Sequence, residues 1–163
     1  MGIYCRLMDR TLEYIRRELR LRLELDDHEV RLERASVLSD SSDTRGVVIT
    51  VANLKVSAYQ GSGLSRPELL DSLELFLLLS FRFKQYEKSL TCLYRTIRLF
   101  QDKPAYTAGT THADNTFPAH LEKLFFTLLP LEFDALSAVW GMHGGVYHPS
   151  ALYSLRMVTN KEL

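Results

Sequence analysis

Leu69-Leu70-Asp71-Ser72-Leu73-Glu74-Leu75-Phe76-Leu77-Leu78-Leu79-Ser80-Phe81-Arg82-Phe83 is the stretch on which the reading of this chain turns. Leu69, Leu73, Leu75, Leu77, Leu79, Phe81 and Phe83 share one parity, with Ser72, Glu74, Ser80 and Arg82 on the other. Successive strand side chains point to opposite faces, so this alternation predicts one long strand with one buried face. Its most apolar part, Leu73–Phe83, contains Glu74, Ser80 and Arg82 and is too short and too polar to span a bilayer, which takes about 20 apolar residues.

Upstream, Gly46–Val56 crowds β-branched residues at Val47, Val48, Ile49, Thr50 and Val51, which predicts a strand buried on both faces at its centre. Val30 and Leu32 alternate with charges as a short strand, and Ser39–Thr44 is rich in turn formers. Ser57–Pro67, with Gly61 and Gly63, reads as a loop. Downstream, Leu124–Leu129 and Ala151–Val158 read as further strands.

Helical spacing fills the gaps. Ile3, Leu7, Met8, Leu12, Ile15 and Leu19 stack on one face of a helix over Ile3–Leu21. Glu13 and Arg17 form an i,i+4 pair on its charged face. Tyr86–Phe100 reads as a helix with Leu90, Leu93, Tyr94, Ile97 and Phe100 as its core stripe, and Leu131–Trp140 as a shorter one before a glycine-rich turn over Gly141–Pro149. The expected fold is α+β, one domain over residues 1–163. Its mixed, mainly antiparallel sheet is built on a central Leu69–Phe83 with helices packed on one face.

The 163 residues carry 20 Lys+Arg and 20 Asp+Glu, a net charge of zero. That balance argues against a nucleic-acid binder. The first 34 residues balance eight basic against eight acidic residues, so their arginines read as a solvated or partner-facing surface. Cys5 and Cys92 read as ordinary thiols of a reducing compartment. Charges near the start leave no secretory signal, which predicts a soluble protein made in the cytoplasm. Met1-Gly2 resembles a myristoylation start but lacks Ser or Thr at position 6.

Catalytic and metal motifs fare poorly. His143-Gly144-Gly145 resembles part of an esterase oxyanion loop, yet Gly63-Leu64-Ser65-Arg66-Pro67 lacks the second glycine of a nucleophile elbow. His143 with His148, and His112 with Asp114 and His120, do not have the spacing of a closed zinc site. Gly61-Ser62-Gly63 lacks the Lys-Ser/Thr of a phosphate-cradling loop. No catalytic, cofactor or metal residues are expected. Residues 102–121 form a long connection of low charge, the kind of segment that often carries function, here as a binding arm.

The order of these pieces is familiar: Leu77–Phe81, then Tyr86 opening a helix that closes at Ile97–Gln101. Pro104–Thr107, Leu124–Leu128, Leu131–Gly141 with its Trp140-Gly141 end, and Pro149–Val158 follow. With the first helix and Gly46–Asn53, this resembles the N-terminal domain family of cap, or tail terminator, proteins of extracellular contractile injection systems of the virulence-cassette and antifeeding-prophage kind. Some relatives continue into a second region.

The resemblance implies a structural, non-enzymatic cap that ends the sheath and inner tube, with those proteins and further copies of itself as partners in a six-fold ring. It implies assembly in the cytoplasm into a phage-tail-like particle, with no cofactor, no nucleic acid and no direct membrane insertion. Strand addition to a neighbour would use the Ala151–Glu162 strand and tail for the sheath, and the Asp102–His120 loop for the tube or a neighbouring copy. Tyr106, Thr107, His112 and Phe117 from the loop, and Leu152, Tyr153, Leu155 and Met157 from the strand, are the candidate contacts. Deleting residues after Arg156 would then leave the domain folded. An adaptor or membrane-proximal component of a related secretion apparatus is the alternative, and a small hydrolase a more distant one.

Overall fold

The computed structural model describes residues 5–40, 43, 45–56 and 66–160. From the start run α1 (Cys5–Leu23), a 3-10 turn (Asp27–Glu29), β1 (Val30–Leu32), α2 (Val37–Asp40), β2 (Gly46–Val56), α3 (Arg66–Ser72) and β3 (Leu73–Arg82). Then follow α4 (Tyr86–Asp102), β4 (Ala105–Tyr106), β5 (Leu121–Leu129), α5 (Phe133–Met142) and β6 (Ser150–Thr159). One six-stranded sheet has the order β1-β2-β3-β6-β5-β4, parallel only between β1 and β2. The α+β class, the mainly antiparallel sheet and the central position of the Leu/Phe-rich strand are therefore as expected. The Ser57–Ser65 part of the expected loop lies outside the described residues.

Period two holds through the middle of the chain. Leu73, Leu75, Leu77, Leu79, Phe81 and Phe83 all enter the core that α1 and α4 cover. The strand starts at Leu73, however, and Leu69–Ser72 belongs to α3. Pro67 suits the first turn of a helix, the Ser72 hydroxyl donates to Leu69 O at 2.7 Å, and the Asp71 carboxylate accepts from Thr159 N at 2.5 Å. Leu69 and Leu73 are also i and i+4, so their shared parity did not separate strand from helix.

The second half of β3 is buried on both faces, not one. Leu78 and Ser80 are fully buried on the face opposite Leu77 and Leu79. There α5 adds a second layer, with Trp140 packed among Ala35, Leu78 and Leu152. The α4 stripe also differs from expectation. Phe100 is buried, and Leu93 and Ile97 pack half-buried against the core, but the other buried residues of α4 are Ser89, Cys92 and Thr96, while Leu90 and Tyr94 are 42% and 64% exposed. Small side chains bring α4 close to the sheet, and their hydroxyls are satisfied locally: Ser89 Oγ accepts from Phe83 N at 2.8 Å, and Thr96 donates to Cys92 O at 2.8 Å.

Candidate functional site

The eight expected contact residues fall into two groups. Tyr106, Tyr153, Leu155 and Met157 are core residues no more than 2% exposed, and Leu152 and Phe117 are also buried. Phe100 stacks on Phe126 with centroids 4.3 Å apart, and Tyr106 and Tyr153 pack around that pair. These side chains hold this chain's own core, which leaves them no surface for a partner. Thr107 and His112 are half-buried in the connection before β5.

Strand β6 cannot be donated to a neighbour either. It lies inside the sheet, paired with β3 from Ser150 to Arg156 and with β5 from Leu152 to Thr159. Met157 and Thr159 are buried, so removing the residues after Arg156 takes away core rather than a free tail. Tail residues 161–163 lie outside the described residues.

The connection from Lys103 to His120 is pinned to α1, not free as an arm. Its anchor is Glu18, a carboxylate that accepts from Asn115 Nδ2 (2.8 Å), His112 N (3.0 Å), Thr111 Oγ1 (3.2 Å) and Arg22 Nε (3.0 Å). The Tyr14 hydroxyl donates to Thr111 Oγ1 at 3.0 Å; burial raises its pKa to about 12, so it stays a donor. His120 Nε2 and Thr11 Oγ1 lie 3.0 Å apart, with Thr11 donating to Leu7 O. Burial first, then the Arg10 guanidinium, lowers the His120 pKa, which favours a neutral ring. Glu18 was missed at the sequence level, although it falls four residues after Tyr14, on the face that packs inward.

The other motif residues have local roles. Gly144 and Gly145 take φ of 100° and 77°, and Gly145 N donates to Trp140 O at 2.7 Å, so the His-Gly-Gly stretch ends α5. His148 Nε2 lies 3.0 Å from Ser39 Oγ, and His112 Nδ1 lies 3.8 Å from the Asp114 carboxylate. Ser65 lies outside the described residues. Among the described residues no three His, Cys, Asp or Glu side chains converge, and no helix is long and apolar enough to cross a membrane.

Two surface features are open. Strand β1 pairs with β2 only from Val47 to Ile49, so among the described residues Val51–Val56 has no neighbour on that edge. Val51, Leu54 and Val56 there are 43%, 50% and 48% exposed. The second feature is a groove of about 950 Å³ between α1 and the 115–120 segment, lined also by Thr159 and Asn160. Leu7, Tyr14, Leu70 and Phe117 give it apolar walls, and Arg6, Asp9 and Arg10 stand along it. Arg6 and Arg10 make no ion pair among the described residues, whereas Arg17 is held by Glu13 at 2.9 Å.

Residues 11–162 match the family described as the Pvc16 N-terminal domain. The fold is similar to a chain of the PVC sheath/tube terminator in its extended state, from an extracellular contractile injection system solved by cryo-electron microscopy. The two share 13% identity and a TM-score of 0.55, over 91% of this chain and 56% of that one. The chain thus spans little more than half the length of that relative. No protein of curated description matches it.

Proposed function

Because the chain belongs to the Pvc16 N-terminal domain family, we propose that it is a structural part of a contractile injection particle, the cap that ends sheath and inner tube. The observation that carries this reading is the family match over residues 11–162, supported by a fold similar to a sheath/tube terminator. The cap acts as a ring of identical copies, since closed rotational symmetry is the common way to finish a tubular assembly. Six copies match a six-fold tube. At zero net charge the copies repel one another little.

Its contact with the sheath runs through the open edge of β2. An unpaired edge is a template for strand addition, with main-chain hydrogen bonds for affinity and alternate side chains for register. Val51, Leu54 and Val56 supply apolar positions along that edge.

Electron microscopy of particles tests both levels. Loss of the gene should give uncapped sheaths or sheaths of abnormal length, and normal particles would refute the cap. Leu54→Lys with Val56→Lys should leave the protein folded and reduce capping. Unchanged capping by that variant would remove the β2 edge from the mechanism.

A further inference from the structure

We infer that the groove beside α1 receives the aromatic end of a second copy of this chain, a head-to-tail contact that deepens the ring reading above and rests on it. Tyr86 and Leu90 lie one turn apart on the outer face of α4, 61% and 42% exposed. Val146 and Tyr147, 50% and 54% exposed, lie on the loop that leads into β6, and Phe81 N, donating to Pro149 O at 2.8 Å, holds that loop at the end of β3 from which α4 departs. The Tyr147 ring is braced edge-on by Trp140, with centroids 5.8 Å apart. Exposed tyrosines and apolar side chains gathered at one end of a sheet mark a protein contact.

The sheet sets the patch and the groove at opposite ends. The patch follows the end of β3 at Arg82 and precedes the start of β6 at Ser150, and these ends meet where Ser80 pairs with Ser150. The groove is bounded by Leu70, just before β3, and by Thr159 and Asn160, where β6 finishes. Ten-residue strands separate the two features by about 33 Å. Two different surfaces on opposite ends make a heterologous contact, which repeats from copy to copy and closes as a ring when the rotation permits.

Size and charge agree with that occupant. A groove of about 950 Å³ admits several side chains, and its apolar walls suit tyrosine and leucine. Glu87, exposed beside Tyr86 with no ion pair among the described residues, complements Arg6 and Arg10; exposed Lys84 complements Asp9.

Sedimentation of the full chain tests this with one variant at each end. Tyr86→Ala with Tyr147→Ala removes the patch, and Arg6→Glu with Arg10→Glu reverses the groove. Each should sediment as a folded monomer where the unaltered chain forms rings. An equimolar mixture should give a dimer and nothing larger, because only one intact patch and one intact groove remain to meet. Rings that persist in either variant, or a mixture that stays monomeric, overturn the head-to-tail contact while leaving the cap reading intact. An unaltered chain that is monomeric alone and with sheath and tube protein overturns both. As a gentler variant, Arg10→Glu alone should weaken association about tenfold, and adding Glu87→Arg in the same chain should recover most of that loss. No recovery would again count against the pairing.

Discussion

Asn115 Nδ2 donates to Glu18 Oε2 at 2.8 Å, and the carboxylate that receives it is only 4% exposed. This bond joins α1 to a segment 97 residues further along the chain. The same carboxylate takes three more donors, so it organises the whole connection into β5. Glu18→Ala would leave buried donors without an acceptor, which should cost about 2–4 kcal/mol. Urea unfolding measures it. A loss below about 1 kcal/mol would show that the connection is held by other contacts.

Deletion of the residues after Arg156 should destabilise the protein by at least about 3 kcal/mol, from the lost burial of Met157 and of the strand around it. Those residues pair with Leu121, Lys123 and Leu124 on β5, and Thr159 N bonds Asp71. An unchanged thermal midpoint in the truncated chain would contradict the placement of β6 inside the sheet.

Gly46 opens β2 with φ of +119°, and a Cβ there would lie 2.1 Å from Glu29 O. Both the left-handed backbone and the contact with main chain require glycine. Gly46→Ala should cost at least about 2 kcal/mol in a denaturant titration, more than an ordinary strand substitution.

Acid should weaken the fold in two separate windows. Burial and Arg10 lower the His120 pKa below its ordinary 6.5, and burial and Arg82 do the same for His148. As pH falls through 6.5, the unfolded chain takes up protons at these rings before the folded chain does, so stability declines from about pH 7 downward. Glu13 acts lower: the Arg16 hydrogen bond holds its pKa below 4.5, so its contribution is present above 4.5 and is lost as pH falls through the folded value. His120→Gln should flatten the decline between about pH 7 and 5.5 without changing the limb below 4.5. A mutant profile parallel to the parent throughout would exclude His120 as a source of the upper window.

The hydroxyls of Tyr106 and Tyr153 are buried and, among the described residues, have no hydrogen-bond partner. Burial raises both above the ordinary phenol value, Tyr153 to about 12. Replacing either by phenylalanine keeps the ring packing around Phe100 and Phe126 and removes an unpaired polar atom. Tyr153→Phe should therefore change stability by less than about 1 kcal/mol, and in the stabilising direction if at all, as read by thermal melting.

The amino-acid sequence by itself determined the elements whose pattern is local. The alternation from Leu73 to Phe83 and the β-branched run from Val47 to Val51 admit little besides strand, and the apolar stripe of α1 little besides helix. Pairing order, burial and partners depend on contacts between residues far apart in sequence. Nothing in Ala151–Val158 shows whether the strand sits at an edge or between two neighbours, because the same alternation serves both. Only the packed sheet places β6 inside and turns Tyr153, Leu155 and Met157 from candidate contacts into core. The exact inward face of α4 was hidden for the same reason: Leu93, Ile97 and Phe100 of the expected stripe do pack on the core, but Ser89, Cys92 and Thr96 face the sheet where Leu90 and Tyr94 do not, because their small size permits close approach, a preference that hydropathy alone does not show. The Glu18 anchor, the open edge of β2 and the groove beside α1 exist only once distant segments meet, since each is defined by what packs against it and what does not.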